Sequence, residues 1–450
     1  MRKLLTLLAV FSVVFTIDRG QVSVASPTNA EFEAVVDGVD TVSTINSLQK
    51  TGDLYTMNYY GDYSDILDDI NQSMNDRTRA SSENPAWMPS FCTLFSALSG
   101  PDSAYLGRNF DNPHCLVLLT NYDPPVGYAS LAFTRMNDLG YGLSTNFDNL
   151  TFEEKLNLLR AVYFVPDGIN ECGLAAGLAY VSPIRYTPDG NKETIFVTHL
   201  IRRILDGAKN IDEAATIANN YNVFDNRVGT ISHHLLVADA LGRSAVLEFN
   251  QGAFQVIEDS TAWQVLTNVP VYNRSVADLK ALCWRYRAAY DALEAVAGDI
   301  DRGEAMGILQ SASQSVPQGG TIWSAVYDLK DRGVYVCLNG VYSNPQYLVL
   351  QYVEDPQPTT FTLPQNFPNP FNPTTTISFT LAERTHAILS IYDIEGKLVK
   401  TLINDTLEEG FKQITWDGTN SHGRRVSSGV FFCRLKAGGT VLTRKMVLLR

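Results

Sequence analysis

The chain has 450 residues, of which 45% are hydrophobic and 18% are charged, and its formal net charge is −13. This length predicts two or three domains, and the composition is that of a globular protein. The acidic balance and the lack of a basic patch argue against nucleic-acid binding and fit an exported protein.

The first 26 residues have the pattern of an export signal. Arg2 and Lys3 precede an apolar run over 4–17, and small residues follow at 24–26. The run is about 14 residues long, shorter than the roughly 20 that a membrane-spanning helix needs. We therefore predict a signal peptide at 1–26 and a secreted or cell-surface location, reached through the periplasm.

A polar leader, residues 27–91, follows the predicted signal. Its alternating aromatic segment, Leu54–Tyr60, predicts a strand, and residues 63–74 have helical spacing. The leader therefore contains a strand that could pair with a sheet.

Residues 92–354 alternate predicted strands with amphipathic helices. Helical spacing recurs in four segments, at 152–164, 195–208, 211–220 and 276–297, of which the last is the longest. Asn210 is expected to cap the third, with Glu213 as its capping-box partner. Strand–turn–strand patterns at 235–249 and 322–338 complete an α+β layered domain.

Proline-rich residues 355–373 predict a stiff extended linker, because such density of proline forbids both helix and central strand. Residues 374–450 contain only short β-like segments separated by turns. This spacing predicts a small all-β sandwich.

Six cysteines are scattered through the chain without a Cys-x-x-Cys pair. This spacing indicates neither a zinc site nor a disulfide framework. His233 and His234 begin a strand and are expected to alternate between core and surface, with no third metal ligand nearby. We predict no metal and no cofactor.

Cys92 is the candidate nucleophile. A cysteine needs a nearby cation or base to become a thiolate at neutral pH. If the chain is cut before Cys92, its new α-amine, with an ordinary pKa of about 8, can serve as that base. Arg108 would then hold the thiolate, and Asp111 would hold the ammonium. Each residue alone has an ordinary alternative, a buried thiol or a surface ion pair.

The order of several motifs resembles the cysteine N-terminal-nucleophile (Ntn) amidases. This is the choloylglycine hydrolase and penicillin V acylase family of linear amide C–N hydrolases, with acid ceramidase and acyl-coenzyme A:6-aminopenicillanic acid acyltransferase as relatives. The similarity spans about 92–340. It rests on Cys92 and on four later segments, at 105–111, 168–178, 266–270 and 284–286.

The resemblance implies a four-layer αββα Ntn-hydrolase sandwich with Cys92 at the start of a central strand. It implies that the Asn268 side chain and the main-chain N–H of Ala179 stabilise an oxyanion. Arg285 would complete the charge network, and Arg287 is a rival on another face of the same helix. It also implies that the leader, residues 27–91, is a pro-segment. Autocleavage between Phe91 and Cys92 would release Cys92, and the leader could remain bound as a small subunit.

The C-terminal segment resembles the sorting domain of the type IX secretion route and the related FlgD-like immunoglobulin fold. The matching residues are the Asn-Phe-Pro-Asn-Pro-Phe-Asn-Pro run and the segments at 391–396, 416–418, 428–430 and 444–448. The resemblance implies that secretion machinery is a partner of this domain.

These observations predict an exported hydrolase that cleaves a linear amide, or N-acyl, bond through Cys92 and an acyl-enzyme. Two alternatives stay open: an acyltransferase of the same fold, and a catalytically idle, surface-displayed binding protein. The expected partner is a small N-acyl amide. Bile-salt conjugates, acyl-homoserine lactones, penicillin V, N-acyl lipids and N-acyl amino acids are all candidates.

Overall fold

A computed structural model describes residues 39–80, 91–98, 103–225, 228–316, 319–350, 361, 363, 366, 369 and 371–449. The predicted signal peptide and most of the predicted linker lie outside this range. Contacts divide the chain into two compact units, Met1–Val353 and Glu354–Arg450. No helix in the described ranges combines the length and the apolar character that crossing a membrane requires.

The described part of the first unit has eight α-helices. They are α1 (Thr41–Asn46), α2 (Ser64–Ala80), α3 (Phe152–Lys155), α4 (Val197–Gly207), α5 (Ile211–Asn219), α6 (Val276–Leu282), α7 (Trp284–Ala295) and α8 (Arg302–Ser311). Three 3₁₀ helices accompany them, at Met136–Leu139, Phe147–Asn149 and Leu156–Val162.

The same unit has eighteen described strands. They are β1 (Gln49–Thr51), β2 (Leu54–Tyr60), β3 (Phe91–Ala97), β4 (Tyr105–Asn112), β5 (Val117–Asp123), β6 (Ser130–Arg135), β7 (Asp167–Asn170), β8 (Ala175–Arg185), β9 (Thr194–Phe196), β10 (Asn222–Phe224), β11 (Thr230–Ala238), β12 (Ser244–Asn250), β13 (Ala253–Ile257), β14 (Trp263–Leu266), β15 (Ser315–Val316), β16 (Gly319–Asp328), β17 (Gly333–Leu338) and β18 (Gln346–Val349).

Most of these strands form two sheets. One has nine strands in the order β1-β2-β5-β6-β7-β8-β11-β12-β13. The other has seven, in the order β14-β3-β4-β16-β17-β18, with β15 paired to β16. Nearly all neighbours are antiparallel, but β2 runs parallel to β5. A short parallel pair, β9 and β10, stands apart.

Alternating side chains build four layers from these sheets. On β3, Leu94 packs in a core that also contains Leu119 and Val246 of the nine-stranded sheet. Phe95, the next residue, packs instead with Leu293 of α7. Successive strand residues point to opposite faces, so the two sheets face each other and each has helices on its outer face. The predicted α+β, four-layer αββα sandwich is confirmed.

The helix predictions are only partly right. The capping of α5 by Asn210 is as expected, since its Oδ1 accepts from the Glu213 N–H at 3.0 Å. The second hydrogen bond of the capping box is shifted by one residue. The Glu213 carboxylate accepts from the main-chain N–H of Lys209, at 2.9 Å, rather than from that of Asn210. The helix predicted at 152–164 is wrong beyond Lys155, where the chain continues as a 3₁₀ helix.

The prediction of one long helix at 276–297 is also wrong. Cys283 is extended, with φ −139° and ψ 115°, and separates α6 from α7. Among the described residues the longest helix is α2, with 17 residues. The break has a structural consequence, because α7 buries Arg285 and Tyr286 against the sheet.

The leader is part of the first unit. The strand predicted at Leu54–Tyr60 is present as β2 and pairs with β5 over its whole length. Tyr63, which precedes α2, donates its hydroxyl proton to Asp206 of α4 at 2.6 Å. Asp206 also pairs with the buried Arg202 at 2.7 Å. The leader therefore contributes both a sheet strand and a buried polar contact to the core of the first unit.

His199 of α4 gives the first testable expectation. Its side chain is buried, and its ring nitrogens have no hydrogen-bond partner among the described residues. Burial, assisted by Arg203 and Arg202, holds the pKa of His199 well below its ordinary value. An unfolded histidine takes up a proton below about pH 6.5, whereas this folded one does not. The free energy of unfolding should therefore fall as pH drops below about 6.5.

Replacing His199 by leucine should remove that dependence. Between about pH 6.5 and 5, the unfolding free energy of His199→Leu should fall less steeply than that of wild type. The difference in slope should be up to about 1.4 kcal/mol per pH unit. Urea unfolding at several pH values measures this slope. His114→Gln, at an exposed side chain, is the control. Equal slopes in wild type and His199→Leu would contradict the assignment.

The second unit contains only strands among its described residues. They are β19 (Thr375–Leu381), β20 (Thr385–Asp393), β21 (Leu398–Leu407), β22 (Gly410–Trp416), β23 (Gly429–Ala437) and β24 (Thr440–Leu448). Strands β19 and β22 form one sheet, and β21-β20-β23-β24 form the other. Trp416, Leu389 and Met446 share one buried core. The predicted small all-β Ig-like sandwich is confirmed.

Candidate active site

Strand register brings the main candidate residues together around Cys92. On β4, Phe110 lies opposite Cys92, so Arg108 is two residues further along the same face. On the other side, Leu266 of β14 lies opposite Leu94. Continuing that antiparallel register by two residues places Asn268 beside Cys92.

The thiol of Cys92 is fully buried and faces the core between the two sheets. Nη2 of Arg108 lies 3.7 Å from Sγ. Burial raises the pKa of the Cys92 thiol, and the Arg108 guanidinium opposes that rise, as does Arg285 to a smaller degree. In the uncut chain the balance therefore favours the neutral thiol.

Arg108 is itself held by a buried carboxylate that the sequence did not reveal. Its Nε lies 2.5 Å from Oδ2 of Asp167, and neither side chain is exposed. Nη1 donates to the carbonyl of Leu178 at 2.6 Å. Asp167 also accepts a hydrogen bond from the hydroxyl of Tyr327. These contacts fix the guanidinium, so that its remaining nitrogen points at the thiol.

Asn268 uses both ends of its side-chain amide. Oδ1 accepts from the main-chain N–H of Cys92 at 2.9 Å and from Nη2 of Arg285 at 2.7 Å. Nδ2 donates to the carbonyl of Tyr180 at 2.8 Å. Tyr180 follows Ala179, which is buried in β8. The two predicted oxyanion donors, Asn268 and Ala179, therefore lie on neighbouring segments.

Arg285 approaches Cys92 from the opposite face of the sheet. Its Nη1 donates to the carbonyl oxygen of Cys92 and, at 3.2 Å, to Oγ1 of Thr93. The same nitrogen is 3.7 Å from Asp111. The rival Arg287 is exposed. Of the two arginines, the structure thus places Arg285 at Cys92, in contact with its carbonyl rather than its thiol.

Asp111 is buried beside the strand end where β3 begins. It lies opposite Phe91 in the register of β3 and β4. Its carboxylate accepts from Thr321 at 2.6 Å and from Gln314 at 2.5 Å. Burial raises the pKa of Asp111, although these hydrogen bonds and Arg285 lower it. Neither Gln314 nor Thr321 was among the predicted site residues.

The expectation that His233 and His234 alternate between core and surface is wrong, because both are buried. Each bonds a carboxylate: His233 Nδ1 lies 2.8 Å from Asp225, and His234 Nδ1 lies 2.9 Å from Glu248. The predicted hairpin contained a signal for the second pair. Leu235 lies opposite Leu247, so His234 and Glu248 face each other one step further along.

All six cysteines are free thiols. No group of three or more His, Cys, Asp or Glu side chains that could hold a metal is present among the described residues. Two guanidinium groups and one side-chain amide converge on the main chain and side chain of one residue, Cys92.

Two family models match the chain. Residues 92–307 match the linear amide C–N hydrolases, choloylglycine hydrolase family. Residues 369–439 match the FlgD Ig-like domain. No curated protein matches the chain.

Several solved structures resemble parts of the chain. A mutant conjugated bile acid hydrolase from Clostridium perfringens is 16% identical with a TM-score of 0.43, and the match covers 58% of this chain and 92% of that one. Penicillin V acylase from Agrobacterium tumefaciens is 17% identical with a TM-score of 0.41, over 57% and 84% of the two chains.

A third structure resembles part of the chain at a lower TM-score. Dimeric latent PorU from Porphyromonas gingivalis is 18% identical with a TM-score of 0.18, over 28% of this chain and 12% of that one. By its family matches, this chain is similar to the linear amide C–N hydrolases over residues 92–307 and carries an FlgD Ig-like domain over residues 369–439.

Proposed function

We propose that the protein is an exported amide hydrolase whose nucleophile is Cys92, exposed as an N-terminal residue by cleavage of the Phe91–Cys92 bond. The substrate is a small linear N-acyl amide, and the reaction passes through an acyl-enzyme. The observation that carries the proposal is the set of side chains around Cys92. Arg108 faces the Cys92 thiol, Asn268 accepts from the Cys92 N–H, and Arg285 donates to the Cys92 carbonyl.

Autocleavage would use the same thiol. Sγ attacks the carbonyl carbon of Phe91, the Phe91–Cys92 C–N bond breaks, and the Cys92 nitrogen takes up a proton. Water then hydrolyses the resulting thioester to a Phe91 carboxylate, which leaves a free α-amine and a free thiol at Cys92. Exposure of the Phe91 side chain, at 51%, fits a residue that can leave the strand end.

In turnover, the α-amine of Cys92 would act as the base. Sγ attacks the amide carbonyl, and the oxyanion is stabilised by Asn268 and the N–H of Ala179. The protonated α-amine passes its proton to the leaving nitrogen, and a thioester remains. Water, activated by the α-amine, then releases the carboxylic acid. Asp111 is placed at the same strand end and would hold the ammonium form.

Processing and turnover are tested together by comparing wild type with Cys92→Ala. The wild-type large fragment should begin at Cys92, and the variant should stay uncut and inactive. Intact mass and N-terminal sequencing measure the cleavage. A panel containing a conjugated bile acid, penicillin V and N-acyl amino acids measures hydrolysis. Cys172→Ala, at a half-exposed thiol outside the site, is the matched control.

Either of two results would contradict this proposal. An intact Phe91–Cys92 bond in active wild-type protein would show that the nucleophile is not an N-terminal residue. Undiminished hydrolysis by Cys92→Ala would show that Cys92 is not the nucleophile. Product analysis with an added amine acceptor, such as hydroxylamine, would distinguish hydrolysis from acyl transfer, because a transferase forms the hydroxamate at the expense of the acid.

The leader should stay bound after cleavage. Strand β2 pairs with β5, and Tyr59, Tyr63 and Leu67 are buried in the core beneath the nine-stranded sheet. Removing them would expose that core and leave Asp206 without the Tyr63 hydroxyl. The two fragments should therefore co-elute in size-exclusion chromatography of cut protein and separate only in denaturant. Separation in native buffer would contradict a small-subunit role.

Export is the remaining part of the proposal. It is supported by the signal-like pattern of residues 1–26 and by the FlgD Ig-like match. The C-terminal domain would engage secretion machinery, as its likeness to a sorting domain implies. Deleting 361–450 should leave the hydrolase inside the source cell, which fractionation with an antibody against the first unit would measure.

A further inference from the structure

His234 and Glu248 form a buried pair that no part of the proposed reaction uses. His234 lies on β11 and Glu248 on β12, and both are buried. Nδ1 of His234 is 2.9 Å from Oε2 of Glu248, and Nε2 is 2.7 Å from the carbonyl oxygen of Thr267. Thr267 immediately precedes Asn268.

The two partners of the ring are both hydrogen-bond acceptors. An ionised carboxylate and a main-chain carbonyl can only accept. The ring nitrogens of His234 thus lie between the side chain of β12 and the main chain just before Asn268.

Glu248 extends the same contact to the other end of the segment. Its Oε2 accepts from the N–H of Val271 at 2.7 Å, and its Oε1 accepts from the N–H of Tyr272 at 3.0 Å. The pair thus holds the main chain just before Asn268 and again just after Pro270. His234 is also the register partner of Ala179 on β8.

We propose that His234 and Glu248 are positioning residues that fix the two oxyanion donors relative to each other. One donor, Asn268, lies within the segment that the pair brackets. The other, Ala179, lies on the strand that pairs with His234. The inference rests on the proposed amide hydrolysis at Cys92. It assigns the pair no contact with substrate and no proton transfer.

A misplacement of about 1 Å in a catalytic group can cost on the order of 100-fold in rate. His234→Gln and Glu248→Gln should each lower kcat by roughly 10- to 100-fold, with a much smaller change in KM. The double variant should be little worse than the more impaired single variant, because both residues act through one contact.

Alkylation of Cys92 by iodoacetamide separates positioning from general damage. The thiol is faced by Arg108, which the pair does not touch, so its alkylation rate should stay at the wild-type value in both variants. His199→Gln is the control, since it alters another buried histidine that has no contact with the site. Unchanged kcat in His234→Gln, or a parallel loss of alkylation, would overturn the proposal.

A separate measurement applies if wild-type protein hydrolyses nothing, a result that would count against the proposed function. Ring ¹⁵N NMR of histidine-labelled protein should show a proton on Nδ1 of His234, hydrogen-bonded to Glu248. In Glu248→Gln that proton should be lost or exchange faster. A wild-type ring without a proton on Nδ1 would overturn the proposed contact between the two residues.

Discussion

Arg108→Met should be among the most damaging single substitutions in the chain. It removes the cation nearest the Cys92 thiol and leaves the carboxylate of Asp167 buried without its partner. Breaking a buried ion pair on one side costs about 3–5 kcal/mol. The pKa of the thiol, already raised by burial, should rise further once the guanidinium is absent. Cys92 alkylation at neutral pH should therefore slow, because a smaller fraction of the thiol is ionised.

A double variant separates the two effects. Arg108→Met combined with Asp167→Leu removes both buried charges, so urea unfolding should recover much of the lost stability. Alkylation of Cys92 should stay slow, because the thiol still lacks its cation. Recovery of alkylation along with stability would show that Arg108 serves the fold and not the thiol. A single variant as stable as wild type would contradict the buried pair.

The sequence was most informative where local register decides the outcome. The hairpins around β11–β12 and β16–β17 and the all-β character of the sandwich could be predicted from alternation and turn residues. Cys92, Arg108 and Asn268 came from the order of motifs. The structure explains why they meet: Cys92 and Arg108 lie on the adjacent strands β3 and β4, and Asn268 follows the end of β14, which pairs with β3 on its other side.

Contacts between distant segments could not be predicted in this way. Asp167 precedes a recognised motif, but nothing in its neighbourhood shows that it faces Arg108. The break at Cys283 has no glycine or proline to mark it, and the helical spacing continues across it. The position of Arg285 depends on that break, because α7 directs it towards the Cys92 carbonyl.

The error at His233 and His234 has a general cause. Alternation between core and surface holds for a sheet with one solvated face. The nine-stranded sheet has no such face near β11, because the second sheet covers one side and helices cover the other. Polar residues on both faces are then buried and need partners, which Asp225 and Glu248 supply.

Under the proposed mechanism, activation would not require the leader to dissociate. Strand β2 is integral to the nine-stranded sheet, so a cut at Phe91–Cys92 would create the α-amine without dismantling the fold. What changes is local to the start of β3. There the Cys92 nitrogen, until then an amide donor to Asn268, would become an amine that can accept a proton.

Asn268 offers the second large effect, and two substitutions divide its role. Asn268→Ala removes the amide altogether and should lower kcat by about 10²–10³-fold, or roughly 3–4 kcal/mol of transition-state stabilisation. It also deprives the Cys92 N–H and Arg285 of an acceptor. Loss of activity in this variant alone would therefore not identify a donor.

Asn268→Asp keeps the acceptor and removes the donor. Its carboxylate can still accept from Cys92 and Arg285, but it replaces Nδ2, which donates to the Tyr180 carbonyl, by an oxygen. If Asn268 stabilises an oxyanion, kcat of the aspartate variant should fall about as far as that of the alanine variant. Substantial activity in Asn268→Asp, measured on the amide that wild type hydrolyses fastest, would instead make Asn268 a structural acceptor that orders Cys92 and Arg285.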